Sequence, residues 1–229
     1  MSYSSLLHPN EKMLVRNNLT PNFSDEYGTT EFWWISAATP EQQIQYAESV
    51  GKPFEGVDVQ VVDQNHQPVG AGVTGLIRVK TDNMITQYYQ NPEATKQHFK
   101  DGYFYPMDLG YLNEKGFLFL QGRTDGVIEY KGAKFYPYEV TNCLSGFPGV
   151  DDAFVFPWPD QGNGQVAAAA LATSRPVSQV EIDRYCRQML ASYKVPRHYL
   201  FINPLPKNRS GKVNVPDLIN ALRNQLSSK

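Results

Sequence analysis

Residues 102–125 read GYFYPMDLGYLNEKGFLFLQGRTD, in which two runs of aromatic and aliphatic residues flank the polar loop NEKG. Two such runs around a short loop that ends in glycine predict a β-hairpin with NEKG at its tip. Upstream, valines alternate with other residues at 57–62, and the segment GLIRVK at 75–80 is rich in aliphatic residues, so both predict strands. Residues 56–121 are therefore expected to form a small antiparallel, barrel-like β unit.

The sequence on either side of this unit lacks its alternation of apolar and polar residues. The first fifty residues are polar and irregular, with one helix expected at 40–50, where proline occupies the first turn. After the unit, Ser178 and Glu181 have the spacing of a capping box, which predicts the start of a helix. The elements expected beyond residue 123 are a hairpin at 127–136, a helix from Pro137 to Gly146, strands at 152–156 and 165–173, a helix after Ser178, a strand at 198–202 and a helix from Pro216. The expected class is α+β, with a compact C-terminal unit of a small sheet and about three helices.

Charge is shared unevenly along the 229 residues. The net charge is −2, but residues 1–125 carry −6 and residues 126–229 carry +4. This asymmetry fits two domains that face different partners. We place their boundary at the end of the hairpin, which gives domains of 1–124 and 125–229.

Composition excludes several classes of function. The small negative net charge argues against a nucleic-acid partner, since no surplus of cations is present to displace counterions from phosphates. No uninterrupted apolar run is long enough to span a membrane, and the first residues do not resemble a secretory leader. Two cysteines cannot form a disulfide framework, so a cytoplasmic location is expected.

A glycine-rich stretch at residues 70–75, GAGVTG, satisfies the pattern of a dinucleotide-binding loop. That motif works only between a strand and a helix, because the pyrophosphate sits on the helix N-terminus. The residues that follow, LIRVK, are strand-like, so a turn between strands is expected and a dinucleotide-binding domain is the minor alternative. The four histidines are scattered, which does not favour a transition-metal site.

Four segments occur in a characteristic order and spacing: residues 27–31 (YGTTE), 102–110 (GYFYPMDLG), 122–125 (GRTD) and 206–212 (PKNRSGK). Together they resemble the later core motifs of the adenylate-forming superfamily, which includes acyl- and aryl-CoA synthetases, adenylation domains and luciferases. The resemblance extends from about residue 15 to the C-terminus. It implies that residues 1–124 are the end of a large adenylating domain and that residues 125–229 are a mobile C-terminal lid.

The resemblance assigns the nucleotide site to Tyr27, Thr30, Asp108 and Arg123, and the Mg²⁺ ligand to Glu31. Each residue type suits its role. Tyr27 offers a flat face for adenine and Thr30 a hydroxyl for the α-phosphate. Asp108 can accept both ribose hydroxyls, Arg123 can reinforce them, and Glu31 supplies a hard oxygen. The alternatives are a tight turn at 27–31, a turn cap for Asp108 and a surface ion pair for Arg123.

Residues 106 and 107 depart from the family pattern. The family usually has Thr-Gly before this aspartate, whereas the chain has Pro106 and Met107. The change removes a hydroxyl and a flexible glycine, so altered contacts with the nucleotide are expected here.

In the C-terminal half the resemblance makes Lys212 the catalytic lysine that bridges the substrate carboxylate and the nucleotide. Asp125 takes the hinge position, and Lys131 and Gly132 line the tunnel for the thiol arm of CoA or phosphopantetheine. A cation at Lys212 suits the charge that develops when a carboxylate attacks the α-phosphate. The alternatives are a solvated lysine at 212 and ordinary β-turns at 125 and 131–132.

The implied activity is that of an acid–thiol ligase. A carboxylic acid and MgATP give acyl-AMP and pyrophosphate, and a thiol of CoA or of an acyl carrier protein then takes the acyl group. The segment KFYPYEV at 134–140 resembles acyl- and aryl-CoA synthetases more than amino-acid adenylation domains.

The family's phosphate-binding loop is absent from these 229 residues. The chain is therefore expected to be the last third to half of an enzyme, inactive without an N-terminal portion as its partner. The alternative is a non-catalytic, lid-like module that binds a carrier protein or regulates a partner.

Overall fold

The computed structural model describes residues 7–209 and 211–227, and of Asp125 the backbone alone. Its described part is a mixed α+β structure with three sheets and six helices. The chain divides into two compact units, Met1–Asp125 and Gly126–Lys229, one residue from the boundary expected from the sequence.

The first unit contains nine strands and three helices among its described residues. They are α1 (Pro9–Asn18), β1 (Asp25–Thr29), β2 (Trp33–Ala38), α2 (Pro40–Gln45), β3 (Lys52–Pro53), β4 (Asp58–Val62), β5 (Gly75–Lys80), α3 (Pro92–His98), β6 (Phe99–Lys100), β7 (Tyr103–Phe104), β8 (Asp108–Leu112) and β9 (Leu118–Arg123). Strands β1, β2 and β3 form one antiparallel sheet. A second sheet has the order β6-β7-β5-β8-β9, and β4 pairs with β5.

The hairpin predicted from residues 102–125 is confirmed as β8 and β9. Its register places Asp108 opposite Arg123. The glycine-rich stretch at 70–75 is confirmed as a connection between two strands, since it leads from β4 into β5. Inward-facing side chains of this sheet, such as Ile77 and Leu118, are fully buried in the unit's core.

The expectation that the first fifty residues are irregular, apart from a helix at 40–50, is wrong. They form α1, β1 and β2, while α2 ends already at Gln45. The sequence pattern was misleading because charged residues occupy inward positions. Lys12 on α1 is buried, its Nζ lies 2.7 Å from Oδ2 of buried Asp25 on β1, and it donates to the Ser49 carbonyl. A buried, paired lysine gives α1 no apolar stripe from which to predict it.

In its described residues the second unit has a five-stranded sheet and three helices. They are β10 (Ile128–Tyr130), β11 (Ala133–Phe135), α4 (Pro137–Ser145), β12 (Val150–Asp160), β13 (Gly164–Thr173), α5 (Gln179–Met189), β14 (His198–Phe201) and α6 (Val215–Ser227). These elements match those expected, with β12 longer at both ends. The capping box predicted at Ser178 and Glu181 is present at the start of α5.

Strand β13 is buried on both faces. Ala167, Ala169 and Leu171 belong to the core formed with α4 and α5, whereas Ala168 and Ala170 belong to the core formed with α6. Because alternate residues of a strand point to opposite faces, this near-continuous run of alanine separates two layers of helices.

The two edges of β13 are occupied differently. Strand β12 pairs with it from Gly164 to Thr173 along one edge. The other edge pairs with β10 at Gly164 and with β14 from Ala168 to Leu171. Strands β10 and β14 therefore follow one another along the same edge.

Within the described residues, every helix is too short or too polar to cross a membrane.

Replacing Lys12 with alanine should lower the free energy of unfolding by about 3–5 kcal/mol, since it leaves the buried Asp25 carboxylate without its partner. Urea denaturation measures this change. Lys96→Ala, at an exposed lysine, is the matched control and should change the value by less than about 0.5 kcal/mol. Equal effects of the two substitutions would contradict the structural role of the buried pair.

Candidate functional site

Asp108 is the centre of a hydrogen-bonded group in the first unit. Its Oδ2 accepts a hydrogen bond of 2.5 Å from the hydroxyl of Tyr27, and its Oδ1 lies 3.4 Å from Nη1 of Arg123. Arg123 also donates to the carbonyl of Pro106 at 3.1 Å. The Asp108 side chain is 15% exposed, while that of Arg123 is half exposed. Three of the residues predicted for the nucleotide are thus brought together.

The sharp turn between β1 and β2 directs Tyr27 towards Asp108. The β1–β2 register shifts between Tyr27 and Gly28, which marks a bulge. A Cβ at Gly28 would lie 1.7 Å from the carbonyl oxygen of Trp33, so only glycine allows this close approach. The bulge places the Tyr27 side chain in the core with its hydroxyl on Asp108.

Burial raises the pKa of Tyr27 well above its ordinary value. The negative charge of Asp108 and the hydrogen bond to it act in the same direction, whereas Arg123 opposes them. Tyr27 therefore remains a neutral phenol that donates to Asp108 throughout the neutral pH range.

Met107, at the position where the resemblance expects glycine, has a positive φ. Its φ is +66°, in the left-handed region that L side chains rarely adopt. The Met107 carbonyl accepts a hydrogen bond from the amide of Thr124 at 2.9 Å, which ties the start of β8 to the residue after β9. Met107 thus has a backbone conformation that glycine adopts without strain, and the altered contact with the nucleotide stays a prediction.

Glu31 is held by a residue that the sequence analysis missed. Oε1 of Glu31 accepts a hydrogen bond of 2.8 Å from the hydroxyl of Tyr88, 57 residues away in the chain. Burial raises the pKa of Tyr88 to about 12, and the hydrogen bond to Glu31 and its charge contribute. The amide of Tyr88 donates to Thr95 in α3, and its ring packs edge-on against His98. The sequence signal was the aromatic pair Tyr88-Tyr89, which precedes the helix cap at Asn91 by two residues.

Thr30 is exposed in the turn between β1 and β2. Within the described residues, the hydrogen bonds and ion pairs do not connect Thr30 or Glu31 to Asp108. The described chain also contains no cluster of three metal-binding side chains.

In the second unit Lys131 and Gly132 form the tip of the β10–β11 hairpin, and both have positive φ values, +50° and +82°. The amide of Lys131 donates to the carbonyl of Asn163 at 2.9 Å. These residues line an open cleft of about 520 Å³ together with Glu129, Asn163, Gly164 and Gln165.

Lys212 is exposed on a loop that closes upon itself. The amide of Asn208 donates to the Lys212 carbonyl at 2.7 Å, and the Lys212 amide donates to the Asn208 side chain at 3.0 Å. Lys207 and Val213 form a bridge at the base of this loop, and Gly211 has a φ of +81°. Ser210 of the same motif lies outside the described residues.

The backbone of Asp125 lies in a short 3-10 turn, Thr124–Gly126, directly after β9. This is the end of an element, as expected of a hinge, and the hinge role itself stays a prediction.

Comparison with protein families matches both units. Residues 9–89 match the AMP-binding enzyme family, and residues 139–212 match the AMP-binding enzyme C-terminal domain. The chain belongs to the adenylate-forming superfamily. The motifs at 27–31 and 206–212, from which this superfamily was predicted, lie within the two matched ranges.

Similar members of the superfamily are CoA ligases. The chain is 35% identical over 188 residues to 2-succinylbenzoate–CoA ligase of Bacillus licheniformis, and 34% identical over 189 residues to long-chain-fatty-acid–CoA ligase FadD13 of Mycobacterium tuberculosis. Each alignment covers 82% of this chain, and 39% and 37% of those two relatives. The chain thus spans about two fifths of the length of the curated relatives it matches.

The fold is similar to a solved member of the superfamily. This member is o-succinylbenzoate-CoA synthetase of Bacillus subtilis, solved in complex with its acyl-adenylate intermediate. The two structures align with a TM-score of 0.81 and 30% sequence identity, over 97% of this chain and 44% of the other. The part of that enzyme that matches this chain therefore has a similar fold.

Because Tyr88 is partly buried and bonded to Glu31, the free energy of unfolding is expected to fall with pH in the alkaline range. Because the folded-state pKa of Tyr88 is raised, its contribution to stability is complete below the ordinary tyrosine value and is lost as the pH rises towards about 12. Unfolding free energies of Tyr88→Phe, measured between pH 9 and 11, should therefore decline less with pH than those of the parent chain. Tyr89→Phe, at the exposed neighbour, should keep the parent slope, and parallel curves for all three proteins would refute the assignment.

Proposed function

We propose that this chain supplies the ribose-binding, lysine-bearing and thiol-binding parts of an ATP-dependent acid–CoA ligase. The observation that carries the proposal is the contact of Tyr27 and Arg123 with one carboxylate, Asp108. The similarity to CoA ligases supports the reaction class. A carboxylate substrate and MgATP would give acyl-AMP and pyrophosphate, and CoA would then take the acyl group as a thioester.

Asp108 binds the ribose in this proposal. A carboxylate can accept hydrogen bonds from both ribose hydroxyls, and charge-assisted bonds of this type are stronger than neutral ones. Tyr27 and Arg123 hold the Asp108 carboxylate in one orientation at the start of β8. Less conformational entropy of this side chain is therefore lost when the ribose binds. Thr30, exposed in the β1–β2 turn, is accessible to the α-phosphate.

Glu31 suits a magnesium ion that is shared with phosphates. Magnesium is usually bound by one or two carboxylates, with water and phosphate oxygens completing the shell, so a single carboxylate fixed at one oxygen is an adequate protein ligand. When bound, the ion would neutralise charge on the phosphates. Tyr88 keeps Glu31 in one orientation, which favours that geometry.

Lys212 provides a mobile positive charge. It is exposed on a loop whose backbone is fixed by hydrogen bonds to Asn208, so the ammonium group can reach a substrate while its anchor stays in place. An ammonium beside the attacking carboxylate stabilises the negative charge that develops at the α-phosphate. Asp125 serves as the hinge, and Lys131 and Gly132 line the cleft that receives the thiol arm of CoA.

Replacing Asp108 with asparagine should weaken binding of AMP by roughly 10- to 100-fold, because hydrogen bonds to a charged acceptor are lost while the side-chain shape is retained. Isothermal titration calorimetry with AMP measures the affinity. Asp82→Asn, at an exposed aspartate of the same unit, should bind AMP as the parent chain does. AMP binding that is unaffected by Asp108→Asn would refute the ribose role.

The 229-residue chain alone should show negligible ATP–pyrophosphate exchange, because it lacks the loop that binds the β- and γ-phosphates. Fusion of the chain to the part of 2-succinylbenzoate–CoA ligase that precedes the matched region should give exchange with 2-succinylbenzoate. Lys212→Ala in this fusion should reduce the exchange rate about 100-fold or more. Robust exchange by the chain alone would contradict the proposal.

Lys207→Ala is the control within the same loop. Its Nζ lies 3.3 Å from Oδ2 of Asp152, so this lysine is paired within the second unit, and the proposal gives it no step in the reaction. Exchange in the fusion should therefore survive Lys207→Ala. An equal loss in both lysine variants would mean that the loop needs its overall charge rather than a specific ammonium group.

A further inference from the structure

The two cysteines of the chain lie together in the second unit. Cys143 on α4 is half-buried, Cys186 on α5 is completely buried, and both are free thiols. Cys186 belongs to the core between these helices and the sheet, and Cys143 packs against that core. The thiols are close enough to share a hydrogen bond, although they come from different helices.

Contacts on either side of the thiol pair hold α4 against α5. The ring of Phe147, just beyond α4, packs edge-on against the ring of Tyr185 with centroids 5.3 Å apart. A Cβ at Gly146 would lie 3.0 Å from the Tyr185 hydroxyl, so the end of α4 approaches α5 closely. Near the start of α4, Nζ of Lys194 donates to both carboxylate oxygens of Glu139, at 2.8 and 2.6 Å. The folded unit therefore keeps the two sulfurs near each other.

The two thiols differ in access and in acidity. Solvent reaches Cys143, whereas Cys186 has none of its surface exposed. A hydrogen bond donated by the Cys186 thiol lowers the pKa of Cys143, and the same bond, together with burial, raises the pKa of Cys186. Because the thiolate is the form of cysteine that reacts with electrophiles, Cys143 is the thiol that reacts first.

The ionisable groups around the pair come from both helices and from β14. Glu139, one turn before Cys143 on α4, opposes its ionisation, and Lys194 offsets that negative charge at 2.6 Å. Asp183 and the buried Tyr199 face the other thiol. The hydrogen bond between the sulfurs is nevertheless the largest influence on the acidity of each.

We propose that Cys143 and Cys186 form a peroxide-responsive modification site, in which oxidation of Cys143 leads to a reversible disulfide between α4 and α5. The Cys143 thiolate attacks hydrogen peroxide, so that an S–O bond forms, the O–O bond breaks and hydroxide leaves, giving a sulfenic acid. The Cys186 sulfur then attacks the Cys143 sulfur. An S–S bond forms, the S–O bond breaks, and the thiol proton leaves with the hydroxyl group as water. Two thiols and one peroxide thus give one disulfide and two molecules of water.

The buried partner makes this oxidation reversible. Cys186, held beside Cys143, intercepts the sulfenic acid before a second peroxide converts it to the irreversible sulfinic acid. The disulfide also restricts the unfolded chain between residues 143 and 186, so the oxidised protein should resist unfolding better than the reduced one. The site uses no residue of the proposed reaction, so the two proposals can fail independently.

Oxidation of the folded 229-residue chain with hydrogen peroxide tests the site. The denatured product should carry no thiol that reacts with a maleimide, where the reduced chain carries two, and it should migrate as a monomer without reductant. Peptide mapping should recover residues 143 and 186 in one linked pair, about 2 Da lighter than the two reduced peptides together. Dithiothreitol should restore both thiols. Exposed Met189 gains oxygen instead of losing hydrogen, so mapping separates its oxidation from that of the pair.

Two single variants separate the steps. Cys186→Ala should stop the reaction at the Cys143 sulfenic acid, which dimedone traps, and should form no disulfide within the chain. Cys143→Ala should leave the buried Cys186, whose thiol should be lost at least about tenfold more slowly than the thiols of the parent chain. The parent chain unfolded in urea is the control for proximity, and it should form the internal disulfide more slowly at the same peroxide concentration.

Four results would each overturn the inference. They are equal rates of disulfide formation in the folded and the unfolded chain, disulfides only between chains, sulfinic acid at Cys143 while Cys186 stays reduced, and two intact thiols at a peroxide concentration that oxidises Met189. All four are read from the parent chain, so a folding defect in a variant cannot obscure them.

Discussion

Antiparallel pairing of β8 with β9 determines where the Asp108 carboxylate lies, the group that we propose binds the ribose. The register sets Asp108 directly opposite Arg123, and it shifts between Leu109 and Gly110. A Cβ at Gly110 would come within 2.3 Å of the Phe119 carbonyl oxygen, so the two strands approach closely only because this residue is glycine. Beyond the shift, Tyr111 stacks on Phe119 across the hairpin with ring centroids 4.7 Å apart. Tyr27 bonds to this hairpin at Asp108, and Thr124 bonds to the Met107 carbonyl directly before it.

Local sequence signals were sufficient to predict the hairpin, the helices of the second unit and most strands. The capping box at Ser178, the proline at the start of α4 and the turn at NEKG each depend on residues within a few positions of one another. Such patterns leave a trace in the sequence because the interacting groups are neighbours along the chain. The hydrogen-bonded residues around the Asp108 carboxylate are Tyr27 and Arg123. All three were predicted from a family resemblance and not from their spacing.

Long-range polar contacts left no comparable signal. Tyr27 and Asp108 are 81 residues apart, and Tyr88 and Glu31 are 57 apart, so neither bond could be inferred from local pattern. The pair of Lys12 and Asp25 had the opposite effect, since burying charge in α1 and β1 hid both elements. In each case a specific partner satisfies a buried or half-buried polar group, and only the three-dimensional arrangement identifies that partner.

The alanines of β13 have a consequence for the segments that pair with its edges. Alanine has no side-chain rotamers to lose, so ordering residues 167–170 against two layers of helices costs only backbone entropy. Residues 167–171 are also buried on both faces, so the central strand is enclosed along this stretch and its edges carry the neighbouring segments. The hairpin with Lys131 and the segment with Arg197 both pair with this strand. Lys131 and Arg197 therefore share one support, and their separation is set within the second unit alone.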